Sequence, residues 1–339
     1  MAKKKINIKY ILVGILAVLI LLFASILSAH TQNKRAITFR VRKHWTLDSL
    51  ENQVNQQLGL SMPFGFATWC KIMGYSKVKP CVLYLESDVS AWSLIKKLRK
   101  NRKQAVDVVI LPGISREIFV DIVTNKLDIT PMEMHNWLMD VGMLSKFGVN
   151  DTTWHTLVIP NTYNVSMSVD FFEFLAKMQI EADKFWNKSR RAQLEAQKLT
   201  KNQVVTIASI VNKESNKKSE YEEIAGVYIN RFRIGMKLQA DPTVNFAKGI
   251  DERVTSTTIE SPYNTYLHKG LPPGPICIPS VEAIDAVLNY KKHEYLYFCA
   301  KSDFSGYHLF EKDYQKHRKN AKLFTSALDR EEKKRDSKK

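Results

Sequence analysis

The chain has 339 residues, 45% of them apolar and 25% charged, with only four cysteines. These proportions exclude a disordered chain and a disulfide-stapled miniature fold, and they leave room for two modest domains. The formal net charge of +17 is a surplus that draws polyanions by long-range attraction.

Residues 10–29 carry no charge at all. A helix rises ~1.5 Å per residue, so about 20 such residues cross a ~30 Å hydrocarbon layer. The run exceeds the ~7–15 residues of a signal-sequence core, and Leu27-Ser28-Ala29 is a poor cleavage site, so the segment reads as a retained single-span anchor. Lys3, Lys4, Lys5 and Lys9 precede it and keep the N-terminus cytoplasmic, which places the remainder outside the inner membrane, facing the periplasm or cell wall. With those four lysines set aside, +13 remains on the exterior part. Anionic partners there are lipid headgroups and cell-wall carboxylates, and no nucleic acid is expected. The run from Lys96 to Lys103 is able to contact either partner, although the simplest account of such a run is a solvated face and linker.

Residues 30–43 are polar and basic, a juxtamembrane stalk ending in Ile37-Thr38-Phe39-Arg40-Val41, whose period-two alternation predicts a strand. Leu47, Leu50, Val54 and Leu58 repeat at helical spacing and Gly59 closes the pattern. Phe64 to Met73 predicts a second helix, Cys81 to Leu85 a strand, and Ser90 to Leu98 a helix opened by Asp88. Val106 to Leu111 predicts a strand that stops at Pro112-Gly113. Ser115 caps a helix with Phe119, Ile122 and Val123 inward. Residues 129–147 are helical, Val158 to Tyr163 is a short apolar strand entering a turn, and residues 169–199 form a long helix or a pair. No Cys-x-x-Cys pair occurs among Cys70, Cys81, Cys277 and Cys299, which argues against zinc. Isolated buried thiols are expected, with a Cys70–Cys81 disulfide as the alternative open to an exported domain. The chain therefore divides into a cytoplasmic tip and transmembrane anchor (1–30), a stalk with a small α+β module (31–103), a larger α+β domain with a helical insertion (104–325) and a basic tail read as disordered (326–339).

Candidate chemistry begins at Thr200-Lys201-Asn202-Gln203, a capping box that opens a helix. Glu214 lies seven residues beyond Ile207, four beyond Ile210 and three beyond Val211, so its carboxylate continues the buried stripe near the helix's end. A carboxylate in that position is either paired or partly desolvated, and desolvation raises its pKa toward the range a general acid needs. The bland alternative is a frayed last turn with Glu214 in solvent. Ser219 to Glu222 makes a second capping box, and the following helix carries Ile224, Val227, Tyr228 and Arg231, with Gly235 as its stop. Asn230 or Arg231 is placed to position a neighbouring carboxylate. In Gln239-Ala240-Asp241-Pro242-Thr243 the proline fixes a polar turn. Tyr263-Asn264-Thr265-Tyr266 sets two aromatics around small polar residues, a pairing that suits sugars but also ordinary core and turn. Leu271-Pro272-Pro273-Gly274-Pro275 is a stiffened loop. His308 reads as a packed strand histidine.

Taken in order, Ala208 to Glu214, Ile224 to Phe232, Gly235 to Thr243, Tyr263 to Tyr266 and Gly270 to Ile276 resemble the endolytic murein transglycosylases called MltG or YceG-like proteins. The match runs from Ala208 to Ile276 in long ordered motifs, and the N-terminal part fits as an anchor and a LysM-like module. The resemblance implies an enzyme that cleaves the β-1,4 MurNAc–GlcNAc bond of nascent peptidoglycan strands and leaves 1,6-anhydro ends. It implies Glu214 as catalytic acid and then base, no cofactor and no metal. Gln239, Asp241, Thr243, Tyr263, Asn264 and Tyr266 would line the cleft, and cell-wall synthases would be partners. Three departures stand out. Asn212 occupies the place of a first acid, Leu111-Pro112-Gly113-Ile114 lacks the glutamate of the usual Leu/Ile-Pro-Glu-Gly string, and Asn161 stands where Asp is commoner. Rival readings are a hydrolytic muramidase using Asp241 as a second carboxylate, and a non-catalytic peptidoglycan-binding envelope protein.

Overall fold

A computed structural model describes residues 8–42, 44–100, 105–249 and 256–336. The order is α1 (Ile8–Ser28), β1 (Ile37–Val41), α2 (Leu47–Leu58), α3 (Phe66–Ile72), β2 (Cys81–Leu85), α4 (Ala91–Lys100), β3 (Ala105–Ile110), α5 (Arg116–Lys126), α6 (Pro131–Met139) and α7 (Val141–Ser145). Then follow β4 (Asn161–Ser166), α8 (Phe171–Phe185), α9 (Lys188–Gln197), α10 (Lys201–Glu214), α11 (Tyr221–Arg233), α12 (Asp241–Lys248), α13 (Val281–Leu288), β5 (Tyr297–Ala300), β6 (His308–Glu311) and α14 (Tyr314–Asp336). The fold is α+β with small two-stranded sheets, β1–β2, β3–β4 and β5–β6. The chain separates into two compact units, the first built mainly of residues 1–106 and the second of most of the remainder.

In the first unit β1 and β2 pair antiparallel, Ile37 opposite Leu85 and Val41 opposite Cys81. Phe39 and Val41 turn inward onto Leu50, Val54 and Leu58 of α2 and Leu94, Ile95 and Leu98 of α4. Thr46 caps α2 and Gly59 ends it in the left-handed region that the sequence pattern anticipates. The stalk expected over 30–43 is folded into this unit instead. His30 bridges to Ser90, the Thr31 amide donates to the Val89 carbonyl at 2.9 Å and the Ala91 amide donates to Ala29 at 2.8 Å. Ile26 of α1 is fully buried in the same core, worth ~1.5–3 kcal/mol of apolar transfer. Among the described residues no helix is long and apolar enough to cross a membrane, so α1 stands as a helix of 21 residues, and Lys3 to Lys5 lie outside the described residues.

The second unit is organised around α10. Its residues from Val204 to Val211 are all buried, enclosed by Ile224, Ala225 and Ile229 of α11 and by Ala283, Ile284 and Val287 of α13. Residues 158–163 are not one strand. A 3-10 turn runs Trp154–Leu157 and the strand starts only at Asn161. Residues 169–199 resolve into α8 and α9, parted at Trp186-Asn187, with Asn187 capping α9. Three helices were invisible as such in the sequence. α12 begins where a turn was expected, because Pro242 fits a helix's first turn and Asp241 suits its positive end. α13 is capped by Ser280. α14 carries the basic tail as helix through Asp336, aided by the Lys334–Glu331 pair at 2.7 Å, so that tail is not disordered over the described residues. Among the described residues no disulfide joins the cysteines, and burial pushes the Cys70 thiol up to about 12 and Cys81 up to about 11.

Candidate active site

Glu214 is the last residue of α10, a helix fixed at its start by reciprocal bonds between Thr200 and Gln203, 3.2 and 2.8 Å. The expected capping box is therefore present, and α10 delivers its final carboxylate from the middle of the core. The neighbouring element α11 runs alongside and sends the Tyr228 hydroxyl to donate to Glu214 Oε1. Tyr266, following the turn at Asn264, donates its hydroxyl to Asp241 Oδ1 at 2.5 Å. Four separated stretches of chain thus meet in one cluster of two carboxylates and two phenols.

The charges in this cluster oppose one another. Burial raises the Glu214 pKa to about 7, the Tyr228 hydrogen bond pulls it back, the Asp241 charge raises it further, and the Arg231 charge lowers it. The C-terminal end of α10 carries partial negative charge, which acts in the same direction as burial. Burial and the adjoining Glu214 carboxyl hold Tyr228 well above its usual range. Tyr266 is raised by burial and by its bond to Asp241. Both phenols therefore stay protonated at neutral pH and act as donors, while Glu214 is poised near half-protonation. One group can then give a proton and later receive one.

Arg231 does two jobs. Its Nε donates to Leu296 O and its Nη1 to Leu238 O, both at 2.5 Å, which ties the segment before Asp241 to α11. Its buried guanidinium also faces the Tyr297 ring at 5.3 Å. Asn230, the other residue expected to position a carboxylate, instead donates to the carbonyls of His293 and Tyr295. The second expected capping box, at Ser219, is absent. Residues Lys218–Glu220 form a 3-10 turn, and the Glu220 carboxylate turns inward to accept from the His308 amide at 2.8 Å and to pair with His308 Nδ1 at 2.9 Å. That bond also fixes His308 on β6, as a packed strand histidine.

The residues expected to line a cleft divide into two groups. Asp241 and Gln239 are exposed, Tyr263 and Tyr266 are half-buried, and Gln239 adopts φ +50, with its amide on the Thr265 carbonyl at 3.2 Å. Tyr263 packs on Phe246, ring centroids 4.6 Å apart, and feels the charges of Asp151 and Arg116. Thr243 and Asn264 are fully buried and serve as struts. The Thr243 hydroxyl meets Ala240 O at 2.7 Å and Thr265 Oγ1 at 2.9 Å. Asn264 donates to Thr257 O and Ile259 O, 2.9 and 2.8 Å, and accepts from the Tyr266 amide at 3.0 Å. Both are fully enclosed, and Asn264 spends both amide hydrogens on backbone carbonyls.

Two glycines admit close approach. A Cβ on Gly274 would sit 2.1 Å from the Thr152 carbonyl oxygen, so the stiff loop lies flat on that backbone. The loop then enters α10's side, where the Ile276 amide donates to Ser209 Oγ at 3.0 Å. Gly113 has φ +76, and its amide donates to Ile278 O at 2.7 Å. A Cβ there would lie 3.3 Å from Asn212 Nδ2. Asn212 in turn accepts from the Ser280 amide at 2.8 Å, at the start of α13. Two of the departures noted in the sequence are thus neighbours: an amide stands where the resemblance has an acid, beside a glycine where it has a glutamate. Tyr228 is the functional residue the sequence pattern did not single out. It lies on the apolar stripe of α11, and no local signal reports that its hydroxyl reaches another helix.

The YceG-like family model matches residues 39–323. The endolytic murein transglycosylase of Bacillus subtilis is 33% identical over 173 residues, 50% of this chain and 48% of that protein. That of Streptococcus pneumoniae strain D39 is 34% identical over 151 residues, 42% of this chain and 27% of that protein. The chain spans about half the length, or less, of these curated relatives. A yceG-like protein of Listeria monocytogenes, known from its crystal structure, shares the fold with a TM-score of 0.56 at 23% identity, covering 85% of this chain and 99% of that one.

Proposed function

Since the chain belongs to the YceG-like family, we propose that it is an endolytic lytic transglycosylase acting on the glycan strands of peptidoglycan, with Glu214 as its single acid and base. The observation that carries this reading is the Glu214 carboxyl, lifted to about 7 and held by Tyr228. In the acid step Glu214 protonates the glycosidic oxygen as the C1–O4 bond breaks, and the departing GlcNAc leaves as an alcohol. In the base step the carboxylate takes the proton of the MurNAc C6 hydroxyl as O6 bonds to C1. The proton balance closes on one side chain, with no water consumed. Asp241, held by Tyr266, keeps negative charge beside Glu214 and so favours the protonated starting form; its charge also suits a developing oxocarbenium. Gln239, Asp241, Tyr263 and Tyr266 form the saccharide-facing surface, with Thr243 and Asn264 supporting it.

We read α1 as a single-pass anchor in the cytoplasmic membrane, with the N-terminus inside and the enzyme facing the cell wall. Its uncharged run of residues 10–29 and the exposed Leu12, Val13, Leu16 and Leu21 support this. The strand–helix–helix–strand order of β1, α2, α3 and β2 supports a LysM-like module, and α6 to α9 fit the helical insertion of the larger domain. Cell-wall synthases are the expected partners.

The test is digestion of purified glycan strands by the full chain in detergent, wild type against Glu214→Gln, with product masses read out. Truncation at residue 31 would remove Ile26 from the module core, so the whole chain is the right reagent. Wild type should release 1,6-anhydro ends, and the variant should be at least ~10²-fold slower. Products one water heavier would identify a hydrolase using Asp241 as second carboxylate, and an active Glu214→Gln would overturn the assignment.

A further inference from the structure

The first unit contains a groove of about 960 Å³ that the catalytic reading leaves unused. Its floor is apolar: Phe23 from α1, Trp69 and Ile72 from α3, Met73 just beyond it, and Trp92 from α4. Phe23 and Trp92 meet edge to face at 5.6 Å, which ties α1 to α4. Ile72 is 66% exposed, an unusual position for so large an apolar side chain. The rim is formed by Lys96 and the basic last turn of α4, Lys97, Arg99 and Lys100, and among the described residues no acid is part of the lining. Cations at a helix C-terminus are stabilised there by the helix dipole, so the cluster costs the fold little. Arg99 is committed to the structure, its Nη1 donating to Met73 O at 2.8 Å. Lys96 and Lys100 are exposed and Lys97 is half-buried. The end of the basic run, residues 101–103, lies outside the described residues.

We propose that this groove seats an anionic phospholipid of the membrane that α1 enters, its acyl chain on the aromatic floor and its phosphate at the lysine rim. The proposal rests on the anchor reading to place the membrane. Three features of the unit point to a lipid rather than to a soluble anion. First, the groove is built partly from α1 itself. Phe23 lies five residues before the helix's last residue, Ser28, which is about 7 Å along the axis at 1.5 Å per residue. In a ~30 Å hydrocarbon layer that α1 spans, that depth lies among the acyl chains, so the aromatic floor faces lipid tails. Second, no stalk separates α1 from the unit, since Ile26 is inside its core and residues 29–31 pair with 89–91. The groove is therefore carried at a fixed height from the helix. Third, the groove combines tryptophan rings with lysines, the residue types that suit the membrane interface, where aromatic rings settle and cations meet phosphates. Each lysine near an anionic surface contributes roughly fivefold in affinity, screened by salt.

The test uses the full chain in lipid nanodiscs of phosphatidylcholine and phosphatidylglycerol, with dibrominated chains on one lipid or the other. Bromine quenches tryptophan only at contact range, and the signal of Trp69 and Trp92 is isolated by comparison with Trp69→Phe and Trp92→Phe. Quenching from brominated phosphatidylglycerol should exceed that from brominated phosphatidylcholine several-fold at equal composition. Lys96→Glu, Lys97→Glu and Lys100→Glu together should abolish the difference while circular dichroism stays unchanged. Equal quenching by the two lipids in wild type, or a preference that survives the triple charge reversal, would overturn the proposal. So would retention on purified cell wall that is lost in the triple variant without any lipid preference. An alkaline wash of the same protein in vesicles tests the anchor separately: a chain that washes off yet keeps its phosphatidylglycerol preference sinks the anchor and leaves the groove.

Discussion

Replacing Tyr228 by phenylalanine removes a hydrogen bond that holds the Glu214 pKa down. That bond opposes the burial that lifts the acid to about 7, and it is at full strength only toward the charged form. Hydrogen bonds to charged groups contribute ~1.5–3 kcal/mol, and ~1.36 kcal/mol corresponds to one pH unit. Without the hydroxyl, Glu214 should hold its proton to a pH higher by about one to two units. Phenylalanine keeps the ring edge-on to Phe298, 5.9 Å away, and takes away one oxygen, so the fold should survive. The consequence for catalysis has two parts. The alkaline limb of kcat/KM, set by loss of the acid's proton, should move up by that amount. The plateau should fall, because a weaker acid transfers its proton less readily. Initial rates of anhydro-end formation across the neutral and alkaline range measure both. A limb that stays in place, or moves down, would refute the coupling of Tyr228 to Glu214.

The remaining predictions probe the same network. Asp241→Asn removes a charge that raises the Glu214 pKa and should move the alkaline limb down, the reverse of Tyr228→Phe, in the same rate profile. Glu214→Gln should stabilise the protein above neutrality. The folded pKa lies above the usual 4.5, so the folded state binds more protons and stability falls as pH rises between about 4.5 and 7. At most ~3 kcal/mol is lost over that window, less for a carboxyl that is only part-buried, and melts at pH 8 should show the variant several degrees higher, with no gain at pH 4. Asn264→Ala strands two half-buried carbonyls and the Tyr266 amide, and should cost ~1–3 kcal/mol in denaturant melts. KM should change little if Asn264 is a strut.

Much of the site was legible because its determinants are local. The Thr200–Gln203 box, the run of buried residues after it and the position of Glu214 at the end of that run are all sequence spacing, and α10 forms as that spacing predicts. What the spacing cannot carry is which polar atoms meet across elements. Tyr228 and Glu214 are fourteen residues apart on different helices, and only their packing brings the phenol to the carboxylate. The same limit applies at Ser219, where a 3-10 turn replaces the expected box and the adjacent Glu220 meets a partner 88 residues away. Thr243 and Asn264 show a similar limit: a small polar residue in a dense motif reads alike as ligand contact or buried strut, and the spacing does not reveal partners such as Thr265 Oγ1 and Thr257 O. The missed helices α12, α13 and α14 are short or polar, and their start signals, Pro242 and Ser280 among them, resemble turn signals in isolation.

The geometry of the cluster bears on why one carboxyl can suffice. A hydrolase of the two-carboxylate kind needs its pair held at opposite protonation states, one acid and one base, through the whole reaction. Here the second carboxylate, Asp241, accepts from Tyr266, and its charge raises the Glu214 pKa. Glu214 alone sits where both protonation states are populated near neutrality, with burial and Asp241 pushing toward the acid and Tyr228 and Arg231 toward the base. An acid that must become a base within one turnover works best near such a balance point, since neither transfer then faces a large energetic step. Opposite displacements of the pH profile in Tyr228→Phe and Asp241→Asn, with activity retained in both, are the signature of that balance. Loss of all activity in Asp241→Asn would place the second proton on Asp241 instead.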